Sequence, residues 1–98
     1  PSGKVYHMRA TAYTANCNGC SGITRTGINL KVNPNAKVIA VDPKVIPLGT
    51  RVWVEGYGYA IAGDTGGSIK GNRIDVHVPT KTDAYRFGVK TVKVVIPD

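Results

Sequence analysis

Between Tyr6 and Tyr13 the side chains alternate in character: Tyr6, Met8, Ala10 and Ala12 fall on one side of an extended chain, and His7, Arg9, Thr11 and Tyr13 on the other. A strand turns successive side chains to opposite faces, so this pattern predicts a half-buried strand with its apolar side on a core. Runs rich in β-branched residues at Lys37 to Val41, Arg51 to Glu55 and Tyr59 to Ala62 predict three more strands, punctuated by Pro43, Pro47, Gly49, Gly56 and Gly58. Gly71-Asn72 signals a tight turn, after which Ile74, Val76 and Val78 alternate with Arg73, Asp75 and His77. Asp75 is therefore expected to point away from the apolar face of its own strand. His77 shares that side and is expected to meet solvent or a neighbouring strand. Thr80 followed by Asp83 reads as the cap of a short helix from Lys81 to Phe87, stopped by Gly88, and Val89 to Ile96 predicts a last strand.

The segment from Thr14 to Ala36 is rich in Asn, Gly, Ser and Thr and has no periodicity, which predicts a long loop with at most short pieces of strand. The sum is an all-β chain of about six short strands and one short helix, the pattern of a small β-barrel. At 98 residues it has room for one domain and one active site. A body this small buries a limited share of its surface, and closing the sheet on itself is one way to use that share well.

Charge changes the picture next. Thirteen Lys and Arg against six Asp and Glu leave a net charge of +7, which calls for an anionic partner: nucleic acid, anionic lipid or the acidic bacterial wall. The basic residues are scattered, and the aromatics do not interleave with them as a base-stacking platform would, so no nucleic-acid partner is expected. No stretch approaches the roughly 20 apolar residues of a membrane span, and no membrane insertion is expected.

Cys17 and Cys20 stand as Cys-Asn-Gly-Cys. Zinc would need further ligands, and the two histidines, His7 and His77, lack the spacing of a finger. A redox pair would be expected ahead of a helix, not in an Asn- and Gly-rich loop. The expectation is a short-loop disulfide with a structural role, which implies an oxidising exterior, and the alternative is a reduced structural pair.

The acids are few enough to weigh singly. Asp98 is terminal, Asp83 belongs to the helix end and Glu55 to a turn, which leaves Asp42, Asp64 and Asp75. Asp42 precedes Pro43 and is suited to accepting N–H bonds from the adjoining turn, a structural duty. Asp64 opens Asp-Thr-Gly-Gly, where adjacent glycines let a ligand approach the backbone. A retroviral-type protease also carries Asp-Thr-Gly, but in its first third and after an apolar run, whereas here it begins at position 64 behind Ala62-Gly63.

Taken together, Thr11-Ala12-Tyr13, Thr24-Arg25-Thr26-Gly27, the run from Ile39 to Thr50 and the block from Ala62 to Val78 resemble the "three-aspartate" (3D) domain of bacterial cell-wall proteins. That family is similar in its core to MltA-type lytic transglycosylases. The resemblance implies a six-stranded double-psi β-barrel with a groove across it. It implies a catalytic acid at Asp75 and a second acid at Asp64, with Asp42 structural. Arg25 stands where the family often has alanine, a departure that bears on substrate contacts and not on the acid.

The implied reaction is cleavage of the β-1,4 bond between N-acetylmuramic acid and N-acetylglucosamine in peptidoglycan. A glycosidase normally needs two carboxyl groups. A lytic transglycosylase uses the substrate's own C6 hydroxyl as nucleophile, leaves 1,6-anhydro ends, and can work with one carboxyl acting first as acid and then as base. Tyr13, Thr14, Thr26, Gly66, Gly67 and Lys70 are the candidates for substrate contact. No cofactor or metal is implied. The alternative is a non-catalytic, expansin-like module that grips wall polysaccharide. Residues 1–98 are expected to be a single catalytic domain excised from a larger secreted protein acting at the cell wall.

Overall fold

The computed structural model describes residues 1–16 and 19–98. Its strands are β1 (Gly3–Tyr13), β2 (Val38–Ala40), β3 (Arg51–Val54), β4 (Gly58–Asp64), β5 (Arg73–His77) and β6 (Lys90–Pro97), with the helix α1 (Lys81–Phe87) between the last two. They close into a barrel in the order β1-β5-β2-β4-β3-β6. Pairing is parallel for β1 with β5 and for β2 with β4, and antiparallel at the other four junctions.

Alternation fills the barrel. Met8 and Ala10 of β1, Ile74 and Val76 of β5, and Val92 and Val94 of β6 are buried together with Ile39, Val41, Val52, Val54, Ala60 and Ala62. Each large aliphatic side chain sealed there contributes about 1.5–3 kcal/mol. Tyr6 and Ala12 pack at the margin of this core, on the side that the alternation assigned to them.

The long loop is anchored by a second apolar cluster, in which Ala15, Leu30 and Val38 pack with Tyr13, Ile28 and Ala36. Its one strand-like piece among the described residues is the bridge between Ile23 and Asn29. Cys17 lies outside the described residues, and so does the expected Cys17–Cys20 pairing.

The helix is set by its ends. Thr80 Oγ1 accepts from the Asp83 N–H at 3.1 Å and donates to the Asp83 carboxylate at 2.8 Å. Gly88, at φ 68°, returns its N–H to the Ala84 carbonyl, a conformation that a side chain would resist.

Two strands run two or more residues further than the pattern predicts. β1 begins at Gly3, where pairing with Pro97 extends the ladder beyond the alternating residues. β4 continues past Ala62 to Asp64.

Candidate functional site

The extension of β4 decides where Asp64 points. Ala60 and Ala62 face the core, so simple alternation would send Asp64 inward as well. Instead Ile39 pairs with Ala62 and Ala40 with Asp64, so the register passes over Gly63 in a bulge. One extra residue reverses the facing of the next side chain, and Asp64 comes out onto the barrel surface. The bulge favours a glycine on steric grounds: a Cβ at Gly63 would lie a tight 3.1 Å from each of Ile28 Cδ1, Thr26 Oγ1 and Val38 Cγ1. Thr26 fastens it, donating to the Gly63 carbonyl through its backbone N–H at 3.1 Å and its hydroxyl at 2.8 Å.

Ala40 is also the register partner of Asp75 on its other side, and Asp75 is the partner of Thr11. One row therefore crosses four neighbouring strands: Thr11, Asp75, Ala40, Asp64. Strands lie about 4.8 Å apart, so the backbones of the two aspartates are roughly 10 Å apart with a methyl group between them. Ile39 and Val41 pack in the main core cluster, whereas Ala40, also buried, turns to the other side of β2 as the floor between two carboxylates.

Their surroundings differ. Asp64 is held by three donors: the Arg25 N–H at 3.0 Å, the Thr65 N–H at 2.9 Å and the Tyr13 hydroxyl at 3.3 Å. Asp75 accepts one side-chain bond, from Thr11 Oγ1 at 2.9 Å, and is half-buried. Burial pushes the Asp75 carboxyl above the usual aspartate range, with the charge of Asp64 adding to the rise, against the opposing pull of the Thr11 bond and of Arg73. Burial likewise raises the Tyr13 phenol, helped by the negative charge of Asp64, and so keeps it a donor.

Tyr13, Thr14 and Asp64 line one cleft of about 190 Å³, together with Cys20, Ser21 and Ile23 of the long loop. The structure thus brings Asp64, Tyr13 and Thr14 to one cleft, sets Asp75 two strands from Asp64 outside the lining of that cleft, and engages Thr26 behind the bulge. Gly66, Gly67 and Lys70 stand apart, in the turn between β4 and β5. Gly66 packs close over Ile69, and Gly67 faces open space. The exposed Lys70 makes its charge felt at Asp42.

Asp42 links two loops. Its carboxylate accepts the Gly71 N–H at 2.9 Å and the Lys44 N–H at 3.0 Å. These two bonds hold it below the usual aspartate range. His77 is buried at 2% exposure. Its ring is tilted against that of Tyr13 at 5.6 Å between centroids, and its Nδ1 lies 2.9 Å from the Ala36 carbonyl.

Three contributors escaped the sequence reading. Thr11 and Ala40 gain their significance only from strand pairing. Gly63 carried a readable signal, an isolated glycine within a strand pattern. A larger cleft of about 470 Å³, between Tyr57, His77 and the helix, contains neither aspartate of the row.

Residues 37–97 match the family model of the 3D domain. The putative cell wall shaping protein YabE of Bacillus subtilis (strain 168) is 70% identical over 95 residues, covering 97% of this chain and 23% of that protein. The cell wall-binding protein YocH of the same organism is 67% identical over 93 residues, covering 95% of this chain and 32% of that protein. The chain thus spans a third or less of the length of these relatives. An apo expansin from Clavibacter michiganensis superposes with a TM-score of 0.66 at 17% identity, covering 97% of this chain and 51% of that one. A mutant of that expansin in complex with cellohexaose gives 0.65 at 14% identity, with the same shares covered. This likeness identifies the barrel as double-psi.

Proposed function

Because the chain belongs to the 3D domain family, we propose that it acts on the bacterial cell wall as a lytic transglycosylase, with Asp75 as the single acid and base. The observation that carries the reading is the state of Asp75: a half-buried carboxyl, raised above its usual range, held by one hydroxyl on an outward face. A general acid works best when its affinity for the proton is brought toward the working pH.

In the first step protonated Asp75 gives its proton to the oxygen between the muramyl sugar and the following N-acetylglucosamine. That bond breaks, and positive charge develops at the muramyl C1. In the second step the Asp75 carboxylate takes the proton of the muramyl C6 hydroxyl while that oxygen bonds to C1. The products are a 1,6-anhydro end and a new 4-hydroxyl, and Asp75 is protonated again. Thr11 supports the carboxylate between the two steps. Asp64, fixed by its three donors, supplies negative charge toward the developing cation. Tyr13 and Thr14 contact the sugar from the cleft wall. Peptidoglycan is the partner, the setting is extracellular, and the domain is one module of a longer secreted protein.

A second reading, a wall-gripping module without catalysis, is favoured by the name of the cell wall-binding relative and by the oligosaccharide in the expansin complex. Mass spectrometry of purified wall incubated with the domain separates the two. Anhydro ends support the transglycosylase, reducing ends make it a hydrolase, and intact strands leave only the binder.

A further inference from the structure

Arg9 on β1 is the register partner of Arg73 on β5. Both arginines fall on the outward side that carries Thr11 and Asp75, since same-face residues recur at every second position, about 7 Å along the strands. The pair is thus the rung next to Thr11 and Asp75. Like charges placed opposite one another destabilise a sheet. The position flanking Arg9 on β6 is Thr91, which offers no compensating charge. The Nε of Arg73 is also buried without a hydrogen-bond partner among the described residues. Its guanidinium makes one long bond, Nη1 to the Ser68 carbonyl at 3.4 Å, and its charge is felt at Asp75, which as the proposed acid is neutral when protonated. Two arginines paired in register on one outward face, one with a stranded donor, leave a place that an anion would complete.

We infer that Arg9 and Arg73 form a carboxylate subsite that seats the acidic group of a muramyl residue and so fixes which glycosidic oxygen lies over Asp75. The inference rests on the reading of Asp75 as facing a glycan strand, and adds to it the feature of the strand that is recognised. Guanidinium forks match carboxylates in geometry and bind them through charge-assisted bonds. N-acetylglucosamine carries no ionisable group. A muramyl sugar carries the lactyl carboxylate on its C3 ether, or the carboxylates of the peptide stem where one is attached. The pair therefore separates wall glycan from neutral β-1,4 polysaccharides.

The test uses the Asp75→Asn form, which leaves oligosaccharides intact. It is titrated calorimetrically with three ligands: a tetrasaccharide alternating N-acetylglucosamine and N-acetylmuramic acid, the same tetrasaccharide bearing stem dipeptides, and chitotetraose. The acidic ligands are expected to bind about tenfold more tightly than chitotetraose, a preference that shrinks with added salt. Preference confined to the bare tetrasaccharide assigns the lactyl carboxylate, and preference confined to the stem-bearing one assigns the stem; both support the subsite. Added to that form, Arg9→Gln and Arg73→Gln are each expected to remove most of the preference, while Arg73→Lys keeps part of it.

Because each Gln variant relieves a like-charge contact, its thermal midpoint should hold or rise, whereas a merely structural arginine would lower it. Arg9 is exposed, so its variant carries the test even if Arg73→Gln folds poorly. Equal affinity for all three ligands, or a preference that ignores both substitutions, overturns the inference. Anhydro ends released by the unsubstituted domain in the absence of any preference would sink the subsite and keep the transglycosylase. An arginine-dependent preference without cleavage would do the reverse.

Discussion

Thr11 and Asp75 sit opposite one another on parallel strands, and the Thr11 hydroxyl donates to the Asp75 carboxylate at 2.9 Å. This bond is made to the charged form, so it opposes the rise that burial imposes on Asp75. Replacing Thr11 by Val, which keeps the shape and removes the donor, should raise Asp75 further. The alkaline limb of the pH profile for anhydro-product release should then move to higher pH. A limb that stays in place or moves down would show that the bond does not tune the acid.

Asp75→Asn should cut product release by at least about a hundredfold, the lower end of what a general acid contributes. Its effect on folding has the opposite sense. A carboxyl raised in the folded state weakens the fold above its folded pKa and has no such effect below the ordinary aspartate value of 3.8. The variant should melt higher than the unsubstituted domain at neutral pH, on the order of a few °C. The gap should close as the pH falls toward that value, which thermal unfolding at stepped pH would track.

Asp42 gives the mirror image. Its carboxylate is held below 3.8 by two backbone N–H groups, so its contribution is complete above that value and is lost as pH falls through the lowered pKa. Asp42→Asn should therefore melt lower than the unsubstituted domain at neutral pH and converge with it in acid. Two aspartates with opposite pH signatures in one set of melts would separate the acid held by backbone N–H groups from the one raised by burial.

Gly63→Ala forces a methyl group against three side chains at 3.1 Å. Overpacking of this kind costs about 1–3 kcal/mol, relieved by shifting Ile28, Thr26 and Val38 or by opening the bulge. Activity should fall with stability, because the bulge aims Asp64. Gly67→Ala meets no atom within 4 Å and should melt within about 2–4 °C of the unsubstituted domain. Parallel melts and wall digests of the two variants check the contrast.

How much of the molecule is legible in the chain depends on how local each cause is. The facing of Met8 and Ala10 against Thr11 and Tyr13 is written in consecutive residues, as is the Thr80–Asp83 cap, and both appear in the structure. Asp64 and Asp75 stood out because the acids are few and because their motif was familiar. The row that joins them could not be read. It depends on parallel pairing between segments 64 residues apart for Thr11 and Asp75, and on the three-residue strand β2 lying between β4 and β5. Alternation also stopped at Ala62, because a bulge interrupts the period by which strands are recognised.

A closed barrel has no vacant strand position, so a polymer could not dock on it by adding itself to the sheet. Closure also forbids sliding. Shifting β5 by one residue against β1 would turn Asp75 into the hydrocarbon interior and break the ladder on both flanks at once. The alignment of the row is thus as durable as the fold, and losing it requires unfolding the whole molecule.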